Sequence, residues 1–464
     1  MNTRTESEFE RLAKAAAAHH EGRRFVEAEA AYRAALAIRP RHAPLLQNLG
    51  VLLAAEGRER SALDCFETSI VAEPHYVSAH YNRAALLEKL GRSSEAIRSF
   101  ELVSSLEPEH YDAHRALGFL WLAEGNRGRS LDHFARTYEL RRGEDRTGIA
   151  DRSLTQTTRG KLRHDGEQFR FLSCHQRGDS RFEMLARVYE DMAGELPDGI
   201  VSLSDRDLDK LGQAYNTAID ISDAPEIRGR AVSERADRTE ILDRFSDGAG
   251  ATYFDDLLTP PALDGLKRYL LESTIWHDFG HIDGFVASYL EDGLACPLML
   301  QIADEIRDIF PELLKHRPLS QAWAFKSLQP CGAIDAHVDD GAISVNFWVT
   351  PDAANLRPGR GGLAVCHTPP PIDFRMKGYD LDQQRAKAFL ERHAENIWVV
   401  PYRENRAVLF ESQLVHGSDA PEFAAGYENK RINITLLFGR HDDLGRGPNT
   451  RSLPPIDRDL DRHL

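Results

Sequence analysis

A period of about 34 residues runs through the first third of the chain and limits what it can fold into. Pro40, Pro74 and Pro108 keep that spacing, as do Tyr32, Phe66, Phe100 and Phe134, and Ala28, Ala62, Ala96 and Ser130. Gly22, Gly57, Gly91 and Gly125 separate the two apolar stretches of each unit. A small residue lets two helices approach closely and an aromatic ring fills the gap between them. Proline then ends the second helix, because it has no N–H to give and its ring clashes with the preceding turn. A helix pair of this size cannot bury its apolar face alone. Four units starting near residue 9 are therefore expected to stack into a solenoid with a concave face.

This phase resembles the tetratricopeptide repeat, which implies a right-handed stack of helix pairs over residues 1–142. The first helix of each pair is expected to line the concave face. Asn48 and Asn82 occupy one position in successive units, and Gln47, Tyr81 and Arg115 occupy the position before it. Amides repeated along a groove donate and accept together and so can grip the backbone of an extended peptide. A protein or peptide partner is the expectation. The alternatives are docking onto the rest of the chain, or ordinary polar positions on a helix surface.

A formal net charge of −15 argues against a general nucleic-acid binder, which needs a basic footprint. The five cysteines (Cys65, Cys174, Cys296, Cys331, Cys366) form no CxxC pair, a pattern that suits a reducing cytosol better than a disulfide framework. No apolar run is long enough to cross a bilayer and the N-terminus is charged, so no membrane span is expected and a cytoplasmic location is.

The repeat is lost after residue 142. Over 143–250 the apolar spacing of Phe169, Phe171 and Leu172, then of Phe182, Leu185, Val188 and Tyr189, predicts two amphipathic helices, with a third near 205–219. This segment reads as a helical connector. From 251 a strand is expected over 253–258, then a helix opened by Pro260 and Pro261 and capped by Thr259, then another over about 295–309. Between them His277 and His281 are four apart, but Gly280 and Gly284 make the stretch a loop. A lid, a substrate-edge loop or a polar surface turn is expected there sooner than a metal site.

The chemistry gathers further on. His337 and Asp339 are two apart, so on an extended strand both project from one face. His416 follows much later in the chain. Two imidazoles and one carboxylate make the facial triad of a non-haem Fe(II) oxygenase, with three positions left open. Residues 430–438 alternate as a strand, with Arg431, Asn433 and Thr435 on one face and Lys430 on the other. Arg431 suits a carboxylate because its guanidinium forks. Lys430, on the far face, is expected to tolerate substitution. Ile343–Val349 also alternates and puts Ser344, Asn346 and Trp348 together.

At these residues the chain resembles the 2-oxoglutarate-dependent Fe(II) oxygenases over roughly 319–440. It looks most like their prolyl-hydroxylase-type branch, and Arg-x-Asn-x-Thr echoes the nucleic-acid demethylating branch. The resemblance implies His337, Asp339 and His416 as catalytic iron ligands and Arg431 as anchor for the far carboxylate of 2-oxoglutarate. It further implies co-substrate contacts from Asn346, Trp348, Asn433 and Ser344, with O2 as the oxidant. Many hydroxylases carry a Tyr on the strand of Asn346, and this chain does not. Gly361-Gly362 is similar to a glycine-started strand of the family, and 369–396 is an insert in which Arg375 and Tyr379 are candidates for the substrate side.

The expected fold class is multidomain α + β. An N-terminal all-α tetratricopeptide solenoid (1–142) is followed by a helical connector (143–250), a double-stranded β-helix or jelly roll (251–442) and a C-terminal tail (443–464). The expected activity is hydroxylation of a protein or peptide side chain recruited by the repeats. The alternatives are a small-metabolite hydroxylase that uses its repeats for assembly, and a non-catalytic repeat scaffold.

Overall fold

A computed structural model describes residues 3–143, 151–175, 180–280, 284–328, 333–371, 379–418 and 421–439. Cys331, His281, Arg375 and the tail over 443–464 lie outside the described residues, as does the side chain of Tyr379. The chain divides into two compact units, one reaching Trp121 and the other starting at Leu122.

The repeat pattern produces helices α1 (Thr3–Glu21), α2 (Phe25–Ile38), α3 (Ala43–Ala55), α4 (Glu59–Ala72), α5 (Val77–Lys89), α6 (Ser93–Leu106), α7 (Tyr111–Ala123) and α8 (Arg127–Arg142). Pro40, Pro74 and Pro108 each stand two residues beyond a helix end, as expected of a residue that cannot continue the hydrogen-bond ladder. Tyr32, Phe66, Phe100 and Phe134 are all buried, and so are Ala28, Ala62, Ala96 and Ser130. Burying one such ring is worth about 1.5–3 kcal/mol. The turns differ from expectation in the first unit. Gly57, Gly91 and Gly125 take the left-handed conformation (φ 75°, 72° and 75°), whereas at the first turn Arg23 takes it (φ 56°) and Gly22 does not. Counting back one period from Gly57 reaches Arg23, so Gly22 is one place out of phase. The first unit is a tetratricopeptide-type helical solenoid.

In the second unit α8 is tied inward. Arg142 donates from Nε and NH2 to the two carboxylate oxygens of Asp292 at 2.8 and 2.7 Å, and the Tyr138 hydroxyl donates to Thr274 O at 3.1 Å. These bonds account for the compact unit starting before the repeat pattern ends.

The connector has the two expected amphipathic helices, α9 (Arg159–His175) and α10 (Ser180–Glu195). A small two-stranded antiparallel sheet of β1 (Gln156–Thr158) and β2 (Ile200–Ser202) brackets them, where only helices were expected. The third helix, α11 (Asp205–Leu211), is shorter than predicted, because Gly212 at φ 66° breaks it. Next come α12 (Arg238–Asp247), β3 (Ala251–Phe254), α13 (Pro260–Glu272), β4 (Phe285–Tyr289), α14 (Pro297–Ile309) and the short α15 (Pro311–Leu314). The strand expected over 253–258 is displaced, since Asp256 turns the backbone at φ 58°. Thr259 makes no side-chain cap to α13; its hydroxyl donates to Arg230 O instead.

The remaining elements are β5 (Leu319–Ser327), β6 (Ile343–Trp348), β7 (Leu363–Cys366), α16 (Tyr379–Arg392), β8 (Ile397–Val400), β9 (Ala407–Glu411), β10 (His416–Gly417) and β11 (Ile432–Phe438). They make two antiparallel sheets, one of six strands in the order β3-β9-β6-β11-β5-β4 and one of three in the order β10-β7-β8. One cluster packs Trp348, Val408 and Phe410 of the larger sheet against Val365 and Val400 of the smaller one. Gly362 permits a close approach here, because a Cβ at that position would run into the Val400 carbonyl oxygen.

Register fixes the faces of the larger sheet. Asn346 stands opposite Thr435, and Thr435 opposite Trp323; Trp348 stands opposite Asn433. Residues directly opposed in an antiparallel pair share a face. Ser344, Asn346, Trp348, Asn433, Thr435, Trp323 and Phe325 therefore lie on one side, as the alternation predicts for the first five. The other side carries Lys326, Ile432 and Ile434.

Candidate metal centre

His337 and His416 are held by a reciprocal backbone bridge. Each amide N–H donates to the other's carbonyl at 2.9 Å, and Asp339 N donates to Ser412 O at 2.9 Å. This stapling brings residues far apart in the sequence into one cluster. Donor atoms of His337, Asp339 and His416 all lie within 4.8 Å of one another. His337 Nε2 is 3.7 Å from Asp339 Oδ1, and His416 Nε2 is 3.4 Å from Asp339 Oδ2. Two donors each about 2.1 Å from one ion can be at most about 4.2 Å apart, so both spacings suit a shared metal.

The other ring nitrogens are already engaged. His337 Nδ1–H donates to Asp335 O at 2.7 Å, and His416 Nδ1–H donates to Leu414 O at 2.9 Å. That bond selects the tautomer in which Nε2 offers its lone pair inward. The carboxylate is oriented too, because Ser344 Oγ donates to Asp339 Oδ2 at 2.9 Å and also bonds Ser412 Oγ at 2.8 Å. Burial pushes the Asp339 carboxyl up, but the His416 and His337 imidazoles and the Ser344 hydroxyl outweigh it and hold the group below the usual carboxylate range. Burial depresses the His416 imidazole, and Asp339 more than offsets this, leaving it raised.

The expected co-substrate residues gather on the same sheet face. Arg431 is buried and donates from Nε to Gly361 O at 2.7 Å and from NH1 to Asn433 Oδ1 at 2.9 Å. Its guanidinium lies 5.8 Å from the Trp348 ring centre. Asn346 Nδ2 donates to Thr435 Oγ1 at 2.8 Å, while Asn346 Oδ1 and Trp348 Nε1 are buried with no hydrogen-bond partner among the described residues. Trp348 is also core, packed 5.5 Å from Tyr402. Ser344, expected to touch a co-substrate, directs its hydroxyl to Asp339 and Ser412 instead.

Other expectations change. Lys430 is not a solvent-facing bystander: it is buried, and its Nζ lies 2.9 Å from Glu167 Oε2 on α9. His277 belongs to no lid or surface turn. It is buried and bonded to the Tyr138 hydroxyl at 2.8 Å and to Asn216 Oδ1 at 3.1 Å, and burial holds its imidazole well below the usual range. In the repeats Gln47, Asn48 and Asn82 are buried and are not surface residues. Both amide atoms of Gln47 and Asn48, and Asn82 Oδ1, have no hydrogen-bond partner among the described residues. Tyr81 stacks on His110 at 4.9 Å between ring centres, and Arg115 lies 3.7 Å from Asp112. Sequence reasoning missed Ser412 and the carbonyls of Asp335, Leu414 and Gly361. Three of these four groups are backbone, which no side-chain pattern reveals.

A tetratricopeptide repeat family model matches residues 77–110, which span α5 and α6. Among solved structures, this chain is similar to MamA (19% identity over 28% of this chain and 77% of that one, TM-score 0.28). It is also similar to a tetratricopeptide repeat protein of Parabacteroides merdae (20% identity, 41% of this chain and 74% of that one, TM-score 0.28). A third likeness is to an O-GlcNAc transferase mutant of Thermobaculum terrenum (24% identity, 30% and 28%, TM-score 0.27). No curated protein matches. No described helix is long and apolar enough to cross a membrane.

Proposed function

We propose that the second unit is an Fe(II)- and 2-oxoglutarate-dependent oxygenase built on a double-stranded β-helix. The expected reaction is hydroxylation of a protein or peptide side chain that the repeats recruit in the cytoplasm. The observation that carries this reading is the triad itself. Two imidazoles with Nδ1 tied to backbone carbonyls and one carboxylate fixed by a serine make a set of donors that suits Fe(II) and leaves one side open.

The neighbouring face suits a small dianion. A buried guanidinium, an indole N–H without an acceptor and an amide oxygen without a donor sit on one sheet face. Leaving such polar groups unpaired costs about 1–3 kcal/mol each, which a polar ligand would relieve. His337, Asp339 and His416 would hold the iron, and Arg431 would pair the far carboxylate of 2-oxoglutarate, with Asn346, Trp348 and Asn433 around it. Iron with 2-oxoglutarate and O2 supplies the oxidising power for attack on a C–H bond. The chain's own part is to orient the ligands, to keep Nε2 of each histidine deprotonated and to exclude water. In the repeats, the partly exposed Tyr81 and Arg115 would face a bound peptide, whereas Gln47, Asn48 and Asn82 lie buried behind that surface.

The test is anaerobic Fe(II) titration followed by succinate release. Wild-type chain is expected to bind one iron and release succinate, and His337→Ala or His416→Ala to do neither while staying folded. Full succinate release by His337→Ala would end this reading. A repeat scaffold without turnover would bind peptide and no iron.

A further inference from the structure

The sheet face that carries the candidate site continues past it to an edge the reaction does not use. Across the strands one row runs Asn346, Thr435, Trp323, Tyr289. Neighbouring strands are about 4.8 Å apart, so Trp323 stands roughly 10 Å across the sheet from Asn346. Ser344, two residues from Asn346 on the same face, holds Asp339. Phe285, Ala287 and Phe325 form one cluster with Ile334, which lies three residues before His337. Tyr289 and Trp323 pack against it and stay half-buried. The aromatic wall is thus continuous with the metal-bearing segment and open at its rim.

A carboxylate closes that rim. Asp278 Oδ2 accepts from the Tyr289 hydroxyl at 2.8 Å, and Asp278 Oδ1 accepts from Gly280 N at 3.0 Å. Both donors are neutral, and among the described residues no cation pairs with this half-buried carboxylate. By contrast Asp292, next to the same strand, is paired with Arg142. Asp278 stands opposite Ala287 at the edge of the sheet, its carboxylate on the Tyr289 hydroxyl, and Tyr289 stands opposite Trp323, so a positive group at this rim would meet both a charge and aromatic side chains. The chain's net charge of −15 favours the same sign of partner.

We propose that Asp278, Tyr289 and Trp323 form a subsite for a guanidinium or ammonium group of the substrate, whose reacting carbon lies toward Asp339. This deepens the oxygenase reading and rests on it for the word substrate.

The test is calorimetric titration of the full chain, without metal or 2-oxoglutarate, with the capped peptide acetyl-Gly-Gly-Arg-Gly-Gly-amide. The matched peptide has citrulline, the neutral isostere, in place of arginine. Wild type is expected to prefer the arginine peptide by about tenfold or more. Asp278→Asn keeps the side chain's size and one of its two acceptor oxygens but loses the charge, and should bring the preference down to about twofold or less. Trp323→Leu should weaken the arginine peptide and leave the citrulline peptide little changed. Equal binding of the two peptides by wild type, or an undiminished preference in Asp278→Asn, would overturn the proposal. Free L-arginine distinguishes the sources: binding as tight as the peptide's supports the subsite with a small substrate, and weaker binding supports it with a peptide. Because the titration uses no iron, its failure is separate from failure of the metal reading, which is scored by iron binding in His337→Ala.

Discussion

The hydroxyl of Ser344 offers a sharp measure of how the candidate centre is built. Its side chain is fully buried and donates to Asp339 Oδ2 at 2.9 Å, the oxygen that also lies 3.4 Å from His416 Nε2. Ser344→Ala removes one oxygen and little else, so the sheet should hold. A hydrogen bond to a charged group is worth about 1.5–3 kcal/mol. At about 1.4 kcal/mol per tenfold, that is a loss of roughly 10- to 100-fold in metal affinity. Loss of an outer partner of a metal ligand ordinarily costs about the same, roughly 10–100-fold. The deficit should widen at acid pH, since the serine also helps to hold the Asp339 carboxyl below its usual range and protons compete with metal for it.

Anaerobic calorimetry with Fe(II), repeated with Co(II) and at two pH values, measures this directly. Ser412→Ala is the companion variant. Asp339 N donates to the Ser412 backbone carbonyl, which survives the change, so a smaller loss is expected. An affinity within twofold of wild type for Ser344→Ala, with His337→Ala unable to bind, would show that the serine does not orient the carboxylate.

Arg431→Ala should raise the apparent constant for 2-oxoglutarate by on the order of a hundredfold, since breaking a buried charged pair costs about 3–5 kcal/mol; Arg431→Lys should recover part of it, and unchanged dependence would remove Arg431 from the co-substrate site. Lys326 is buried, its Nζ 3.2 Å from the Tyr427 ring centre and without a hydrogen-bond partner among the described residues, and burial puts its amine well below the usual range. Lys326→Met should therefore stabilise the protein by about 1–3 kcal/mol. The folded chain binds the proton of this amine less readily than the unfolded chain does, so wild-type stability rises as pH climbs toward about 10.4 and the variant's advantage shrinks over that window. A melting temperature lower in Lys326→Met than in wild type would contradict this. Asn48→Leu should stabilise the solenoid by about 1 kcal/mol, because both its amide atoms are buried with no hydrogen-bond partner among the described residues. A destabilised Asn48→Leu would mean the amide has a partner. The raised His416 imidazole predicts that metal affinity falls as pH drops through its range, with proton release on binding; a pH-independent affinity would argue against His416 as a ligand.

How much of this was legible in the sequence depends on whether each signal is periodic. The solenoid was readable because the same sterics recur in every repeat, and even its one phase error, Gly22 for Arg23, follows from counting glycines before counting the period. The face of β11 was readable for the same reason, at period two, whereas its register, with Asn433 opposite Trp348 and Thr435 opposite Asn346, was not, because alternation fixes faces and not partners. Strand β4 was not readable: four of its five residues are buried, so Phe285–Tyr289 shows no alternation between faces. Lys430 failed differently. A lysine on the outer face of a strand reads as solvated, and nothing local reports that Glu167, on a helix far earlier in the chain, covers it. The same limit applies within the candidate site. His337, Asp339 and His416 could be picked out by residue type and order, but their fixing is done by the carbonyls of Asp335 and Leu414 and by Ser344. Backbone groups occur at every position and carry no pattern, so the ligands of such a centre can be read from a chain while the parts that set its tautomers must be seen folded.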